Sequence, residues 1–439
     1  MAFTFKGGFH IPDHKELTNS KPIRCLDGDK VHIYPLQQHI GAPLNPTVAK
    51  GDTVKVGQII ADSDQYVSTP VHSSVSGTVK DIAPYIHPSG AKVTSIFVEN
   101  DFEYTVHESI KPYDIENMTK EEMLSVIRNS GIVGMGGAGF PTHVKLSPPP
   151  DKKIEHLIIN GAECEPYITS DHRKMIEDPD SIIDGIGIVL KILGLSVGYI
   201  GVETNKADAI EVLTQKAEEC GFVKIFPLKP KYPQGAEKQL IYAITKKMVP
   251  SGGLPADAGA IVMNIDTVSQ ISKLFRTGMP LTKRVVTVSG DVVNEPCNLE
   301  VYTGVTFKYL LDAAGGVSGD VKKLIMGGPM MGMSQFSFDA PVIKTTSSIL
   351  ALSHDESHFE DYQVCIKCGK CVENCPMRLM PLNLCKAAEK GDLETCEENN
   401  ILDCIECGLC SYNCPGSKSL LHNIRIAKQK IIENRRKNK

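Results

Sequence analysis

Eight of the 14 cysteines fall in two runs of identical spacing. The first reads Cys365-Ile-Lys-Cys368-Gly-Lys-Cys371-Val-Glu-Asn-Cys375-Pro376. The second, 39 residues later, reads Cys404-Ile-Glu-Cys407-Gly-Leu-Cys410-Ser-Tyr-Asn-Cys414-Pro415. Three thiolates two residues apart can hold three corners of an iron–sulfur cube, while the fourth, followed by proline, turns away to a second cube. The runs agree at 8 of 12 positions, which marks a repeated unit rather than a chance Cys-x-x-Cys. Structural zinc is the competing reading, but it wants four ligands in paired spacings. The pattern predicts two [4Fe–4S] clusters ligated crosswise. One takes Cys365, Cys368, Cys371 and Cys414, the other Cys404, Cys407, Cys410 and Cys375. This is electron-transfer chemistry.

A second constellation could bring electrons in. Gly134-x-Gly136-x-x-Gly139 matches the dinucleotide fingerprint literally, but that fingerprint needs a strand before it and a helix after it. Here a helix precedes the glycines, with Thr119 and Glu122 as its capping box, and Phe140-Pro141 follows. The usual reading fails. What remains is a glycine-dense turn, with Gly137 at its centre, that can bring backbone N–H groups close to a phosphate or a flat ring. Lys145 adds a positive charge just beyond it. Three further motifs place amide, carboxylate, hydroxyl or aromatic groups at the ends of expected strands or loops. They are Asn160-Gly-Ala-Glu163-Cys-Glu165-Pro166, Tyr232-Pro-Gln-Gly235-Ala-Glu237 and Asn264-Ile-Asp266-Thr267. Open α/β sheets bind ligands beyond the carboxyl ends of their strands, where such groups could grip a ring or a ribose.

The elements that must position these groups follow from periodicity and turn residues. Residues 1–30 read as an irregular lead-in. Residues 31–110 carry short β-rich runs separated by turns such as Gly51-Asp52 and Ser76-Gly77. Residues 111–280 switch to alternating strands and helices, the texture of a parallel wound sheet. Strands are expected over residues 154–159, 197–202, 223–226 and 260–264. Helices are expected over residues 180–193, 206–219 and 236–245, the first two stopped by Gly194 and Gly221. Residues 281–350 read as a hairpin followed by a helix, a β-grasp unit. An acidic stretch over residues 354–361 leads to a two-cluster domain over residues 351–417, and a basic amphipathic tail covers 418–439. That tail could dock on its own domain, a partner or a membrane.

Composition narrows the class. The net charge of −5 gives no reason to expect nucleic acid as a partner. The longest apolar stretch, residues 182–202, is interrupted by Asp184 and Lys191, so no membrane span is expected. No apolar h-region opens the chain, and thiol clusters without a secretory signal fit a reducing compartment. Cys25, Cys164, Cys220, Cys297, Cys385 and Cys396 stand outside the runs and are expected to be mostly small buried residues. The histidines before residue 110 are expected to be structural.

Residues 54–79 resemble a biotinyl/lipoyl-carrier hammerhead, whose family places an acceptor lysine at the turn occupied here by Gln65-Tyr66-Val67. Without that lysine no swinging arm can attach, and the domain is expected to be a structural or docking module. The glycine loop, with Lys145 and the three motifs above, resembles the flavin and NADH site of the NADH-binding subunit of respiratory complex I. Met135, Ala162 and Ala236 depart from that subunit's arginine, aspartate and glutamate. Over roughly residues 5–430 the chain resembles the C subunits of Rnf ion-translocating electron-transport complexes. Gly7-Gly-Phe-His-Ile-Pro-Asp-His-Lys-Glu-Leu17, Gly327-Gly-Pro-Met-Met-Gly332 and the terminal cysteine runs carry that likeness.

The resemblance implies a barrel-sandwich domain, a Rossmann-like FMN/NADH domain, a β-grasp unit and a helical two-cluster ferredoxin domain. It implies non-covalent FMN near Gly134, Gly136, Gly137, Lys145, Asn160, Glu163, Gly235, Asn264 and Thr267. Phe140 would stack on NADH, with Glu165, Tyr232 and Glu237 lining its pocket. The implied role is a peripheral subunit on the cytoplasmic face of the membrane. It would work among the other Rnf subunits, including an iron–sulfur subunit that exchanges electrons with ferredoxin, in a ferredoxin:NAD+ oxidoreductase coupled to Na+ or H+ transport. A microcompartment cobalamin reductase shares this layout. A pure electron relay with a non-functional nucleotide site is the third reading.

Overall fold

A computed structural model describes residues 2–354 and 364–437. Most of the acidic stretch expected over residues 354–361 lies outside the described residues.

The β-rich segment closes into two facing sheets. Val31–Pro35, Lys92–Asn100, Gly77–Ile86 and Thr53–Val54 form one; Asn45–Pro46, Ile59–Asp62 and Val71–His72 form the other. Tyr34, Ile60, Val71, Val75, Ile96 and Val98 fill the space between them. The turn that would carry an acyl arm instead meets the next domain: the Tyr66 carbonyl accepts a hydrogen bond from His143 Nε2 at 3.2 Å. His32 and His39 are withdrawn from water, which lowers each to about 4. Burial takes His72 to about 3. All three are thus neutral structural residues at ordinary pH.

The α/β segment forms a four-stranded parallel sheet. Its order is Val223–Leu228, Gly198–Glu203, His156–Gly161, Ala260–Asn264. The chain starts in the third position, works outward, then jumps back to the opposite side of His156–Gly161. The strand order therefore reverses between His156–Gly161 and Ala260–Asn264, which makes the crevice beyond their carboxyl ends the natural ligand site. Asn160 and Asn264, the last polar residues of these two strands, lie in register there. The apolar faces of Pro179–Leu193 and Ile265–Thr277 pack beneath, with Ile182, Ile186, Val189, Val268 and Ile271 in one core. Gly194 and Gly221 end their helices in the left-handed conformation at φ 66° and 73°, as their positions predicted.

The third unit is larger than a hairpin and a helix. Its six-stranded sheet runs Ile23–Cys25, Cys297–Tyr302, Lys283–Ser289, Ser348–Leu352, Lys323–Met326, Met333–Gln335. The lead-in therefore contributes an edge strand, and it also laces the other units together. Phe3 bridges to Leu228 and Phe9 to Tyr232, and the Gly8 N–H donates to the Asn374 carbonyl at 3.0 Å.

The basic tail is not separate. In Leu420–Lys437 the residues Leu420, Leu421, Ile424, Ala427 and Ile431 are buried. Ile424, Ala427 and Ile431 share a core with Leu384, Ala387, Cys396 and Ile401. Ile424→Ala removes a side chain that is 1% exposed. It should destabilise the cysteine domain by about 2–5 kcal/mol, measured as a lower denaturant midpoint for that domain alone. No helix among the described residues is long and apolar enough to cross a membrane.

Of the six remaining cysteines, Cys297, Cys385 and Cys396 are buried as expected. Cys25 is exposed on the edge strand, and Cys164 stands in the candidate site.

Candidate functional site

The glycine segment is a loop pinned at its neck. Val133 bridges to Pro141, and the Gly134 N–H donates to the Phe140 carbonyl at 2.9 Å. The Met135 N–H reaches Thr267 Oγ1 at 3.0 Å, while Met135 itself is sunk in the core at 1% exposure. Only the tip, Gly136-Gly137-Ala138, is exposed. Its three N–H groups have no protein acceptor among the described residues. Successive free N–H groups at a glycine turn form an anion- or ring-binding nest.

Asn160 and Asn264 build the floor. Asn264 Oδ1 caps the helix Ile265–Thr277 by accepting the Asp266 N–H at 2.9 Å, and its Nδ2 donates to Asp171 at 2.6 Å. Asn160 Nδ2 donates to the Gly235 carbonyl at 2.9 Å, which ties the loop after His156–Gly161 to the Tyr232–Glu237 loop. A Cβ on Gly235 would sit 3.2 Å from Asn160 Oδ1, so glycine permits this approach. Lys145 Nζ donates to Glu237 Oε1 at 2.8 Å and to the Val262 carbonyl at 2.7 Å. The pair is about one-third exposed, at 33% and 37%, and Phe140 is half-buried. A strip of glycine backbone, an aromatic ring, an ammonium and a carboxylate thus surrounds the crevice. That donor set fits a flavin nucleotide and its partner nucleotide.

Three predicted residues do other work. Glu163 accepts the N–H groups of Asp171 and His172 at 2.6 and 3.2 Å, and so caps Ser170–Glu177. Its other neighbour is the buried Lys15, 3.9 Å away. Glu165 and Tyr232 face the second cysteine run and the loop of residues 327–332. Tyr232 is 2% exposed. Its hydroxyl lies 2.8 Å from the Cys407 carbonyl and 3.3 Å from Glu165 Oε1. Glu165 Oε2 accepts the Met330 N–H at 3.1 Å, which draws in the loop of residues 327–332. Burial raises Glu165 to about 7. These contacts seat the second cysteine run against the α/β domain, where Cys164, Tyr232, Ile405, Cys407 and Leu409 pack together.

Sequence reasoning missed Arg284, Asp171 and Lys206, which lie outside every motif, and gave no role to Lys15, which lies within the Gly7–Leu17 motif. Arg284, buried on the adjoining sheet, donates to the Met135 carbonyl at 3.0 Å and to Asp266 at 2.8 Å. It supplies a buried guanidinium beside the glycine loop. Lys206 holds the Ala162 carbonyl at 2.7 Å. Burial, followed by the charges of Glu163 and Asp266, pushes Asp171 from 3.8 to about 8. Between these values the unfolded chain releases this proton and the folded chain keeps it, so stability should fall as pH rises from about 4 to about 8. Asp171→Asn keeps an acceptor for Asn264 and should flatten that fall, measured as denaturant midpoints at pH 5 and 8.

The cysteine runs gather crosswise. Cys365, Cys368, Cys371 and Cys414 line one cavity with Leu382, Pro415 and Leu420. Cys375 sits among Cys404, Cys407 and Cys410, close enough to raise the last two thiols, which burial takes to about 12. Among the described residues no group of three or more His, Cys, Asp or Glu could hold a single metal ion. For Cys407 and Cys410 the burial that raises the thiols would be offset by a cation at the thiolates, which is the chemistry of metal and cluster ligands.

Comparisons with known proteins follow this division. Residues 3–103 match the RnfC barrel sandwich hybrid domain, residues 127–273 the Nuo51 FMN-binding domain, and residues 285–334 the SLBB domain. Fold and matches together define a modular electron-transfer oxidoreductase subunit. The chain is 48% identical to the C subunit of the Na+-translocating ferredoxin:NAD+ oxidoreductase complex of Acetobacterium woodii, covering 99% of this chain and 98% of that one. It is likewise 48% identical to the C subunit of the proton-translocating ferredoxin:NAD+ oxidoreductase complex of Clostridium ljungdahlii, over 98% and 94% of the two chains. Identity is 39% with the C subunit of the ion-translocating oxidoreductase complex of Rhodobacter capsulatus, over 99% and 84%. The chain belongs to the family of C subunits of Rnf-type ion-translocating oxidoreductase complexes.

Proposed function

We propose that this chain is the nucleotide-handling subunit of a membrane-bound ferredoxin:NAD+ oxidoreductase coupled to ion translocation. A flavin in the crevice would exchange a hydride pair with NAD(H) for single electrons, and two [4Fe–4S] clusters would accept these one at a time. The residues divide the labour. The N–H groups of Gly136, Gly137 and Ala138 bind the flavin, with Asn160, Asn264 and Thr267 fixing the loops around it. Phe140 and Glu237 orient the second nucleotide, and Lys145 holds Glu237 in place. Glu165 and Tyr232 hold the second cysteine run at the rear of the crevice, so that Cys404, Cys407, Cys410 and Cys375 surround the inner cluster. Cys365, Cys368, Cys371 and Cys414 surround the outer one.

The observation that carries this reading is the hydrogen bond from Tyr232 to Cys407, 2.8 Å long, which joins a strand-end loop of the nucleotide crevice to the second cysteine run. The two sites are one path. A microcompartment cobalamin reductase would share that path but not its partners. Capture of the tagged chain from detergent-solubilised membranes should recover integral membrane subunits together with NADH:ferredoxin activity. Recovery with shell proteins and no membrane subunits would favour the reductase.

A further inference from the structure

The two cysteine runs share a backbone and differ in what covers it. Gly369 and Gly408, each following the second cysteine of its run, both lie in the left-handed region, at φ 82° and 78°. Lys367 and Glu406 match as closely, at φ 57° and 56°. Gly369 is exposed, and a Cβ there would meet no atom beyond its chain neighbours within 4 Å. Gly408 is buried, and a Cβ there would fall 2.8 Å from the Met330 carbonyl and 3.7 Å from Met330 Cε. Ile366 of the first run is 72% exposed, whereas its counterpart Ile405 packs with Ile11, Tyr232, Cys407 and Leu409.

This cover comes from two segments far from the second run in sequence. One is the lead-in. Its backbone passes so close to the first run that a Cβ on Gly7 would stand 2.9 Å from the Cys375 carbonyl. The Gly8 N–H holds the Asn374 carbonyl at 3.0 Å, and Ile11, 7% exposed, joins the apolar group around Cys407. The lead-in thus touches Cys375 and Cys407, which belong to different runs and to one ligand set. The other segment is the loop of residues 327–332. Glu165 Oε2 accepts the Met330 N–H, and a Cβ on Gly328 would overlap that same oxygen, so the loop lies tight against the carboxylate. Both contacts keep Met330 over Gly408.

An iron–sulfur cluster gains negative charge on reduction, and its potential follows its solvent exposure and its surrounding charge. Burial disfavours the more highly charged form, so an apolar cover lowers the potential. Cations flank both sites. Lys367 and Lys370 are exposed beside the outer thiols, while Arg425 and Lys428 are met by Glu406 at 3.1 and 2.9 Å beside the inner ones. Cover therefore separates the two sites more than charge does.

We infer that Ile11 and Met330 are positioning residues of the inner cluster, which keep water from Cys404, Cys407, Cys410 and Cys375 and hold that cluster's potential below the outer one's. The inference rests on the reading above that the runs hold clusters. With potentials in that order, one electron passes from the inner cluster to the outer. The inner is oxidised by one electron and the outer reduced by one, and no atom or proton moves.

The test is an EPR-monitored redox titration of the full chain, purified anaerobically with its iron. Cys414→Ser, which removes the outer cluster, assigns the signals. The wild-type chain should show two potentials, the inner one lower. Met330→Gln and Ile11→Thr keep roughly the shape of each side chain and make it polar. Each should move the inner potential in the positive direction and leave the outer potential and the iron content unchanged. Met330→Leu and Ile11→Val, which keep an apolar cover, should stay near the wild-type value. Where Ile11→Thr alone loses iron, Met330→Gln decides. An inner potential that stays fixed in the polar variants, shifts as large in the apolar ones, or a wild-type inner potential at or above the outer one overturns the inference. So does loss of iron from both polar variants, which would make these residues supports for assembly only. Absence of iron from the wild-type chain overturns the cluster reading itself, whereas two clusters with unmoved potentials overturn the role of the cover alone.

Discussion

Gly136→Val is expected to give a chain that keeps its iron and loses its flavin. A Cβ at Gly136 would fall 2.5 Å from Asn264 Nδ2 and 2.8 Å from its Cγ. Asn264 cannot step aside, because it caps the helix Ile265–Thr277 and donates to Asp171 at 2.6 Å. The loop tip must lift instead, taking its three free N–H groups out of the crevice. Overpacking of this kind costs about 1–3 kcal/mol, which is roughly a 5- to 150-fold loss of affinity. The cysteine domain is anchored elsewhere, through Tyr232 and Cys407, so the iron should stay. Gly137→Ala is the companion variant. Its Cβ would meet no protein atom within 4 Å, so flavin lost in that variant is lost to contact with the ligand itself. Flavin released by acid and iron measured on the same sample decide the matter. Normal flavin in Gly136→Val would remove the loop from the site.

The second large effect separates the clusters. Cys375→Ser should damage the inner cluster although Cys375 belongs to the first run, because it sits among Cys404, Cys407 and Cys410. Iron should fall from about eight to about four per chain. NADH should still bleach the flavin in this variant, but the outer cluster should be reducible only by dithionite. Cys414→Ser should do the reverse, removing the outer cluster, whose cavity it completes with Cys365, Cys368 and Cys371. The inner cluster should then still accept electrons from NADH. Low-temperature EPR distinguishes the two, and the opposite pattern would mean that each run holds its own cube.

What the sequence disclosed, and what it hid, divides along the range of the forces involved. The cysteine runs, the Thr119–Glu122 capping box and the helix stops at Gly194 and Gly221 are local chemistry, and each stands where its residues place it. The helix Ile265–Thr277 was hidden because it begins directly after the strand Ala260–Asn264, with Asn264 serving both. Ser348–Leu352 was hidden because it owes its place to partners far away in sequence, Lys283–Ser289 and Lys323–Met326. The strand-end motifs revealed which loops meet, but not which side chains face a ligand. Glu163, Glu165 and Tyr232 have the polarity of ligand contacts and spend it on a helix cap, the Met330 N–H and the Cys407 carbonyl. Arg284 carries no local signal at all, since its role exists only once its strand packs against the glycine loop.

If hydride enters at this crevice, anaerobic stopped-flow with NADH and NADPH should show it. Glu237, about one-third exposed and held by Lys145, can accept hydrogen bonds from ribose hydroxyls but repels an added 2′-phosphate. Phe140 offers a flat face worth about 0.5–1.5 kcal/mol in stacking beyond its buried area. NADH should bleach the flavin rapidly, with cluster reduction following, while NADPH should do so poorly. Glu237→Gln should weaken NADH binding more than flavin binding, although it also loosens Lys145. Equal rates with the two nucleotides would contradict the role of Glu237. A flavin that dithionite reduces and neither nucleotide touches would make this chain a relay rather than the point of entry.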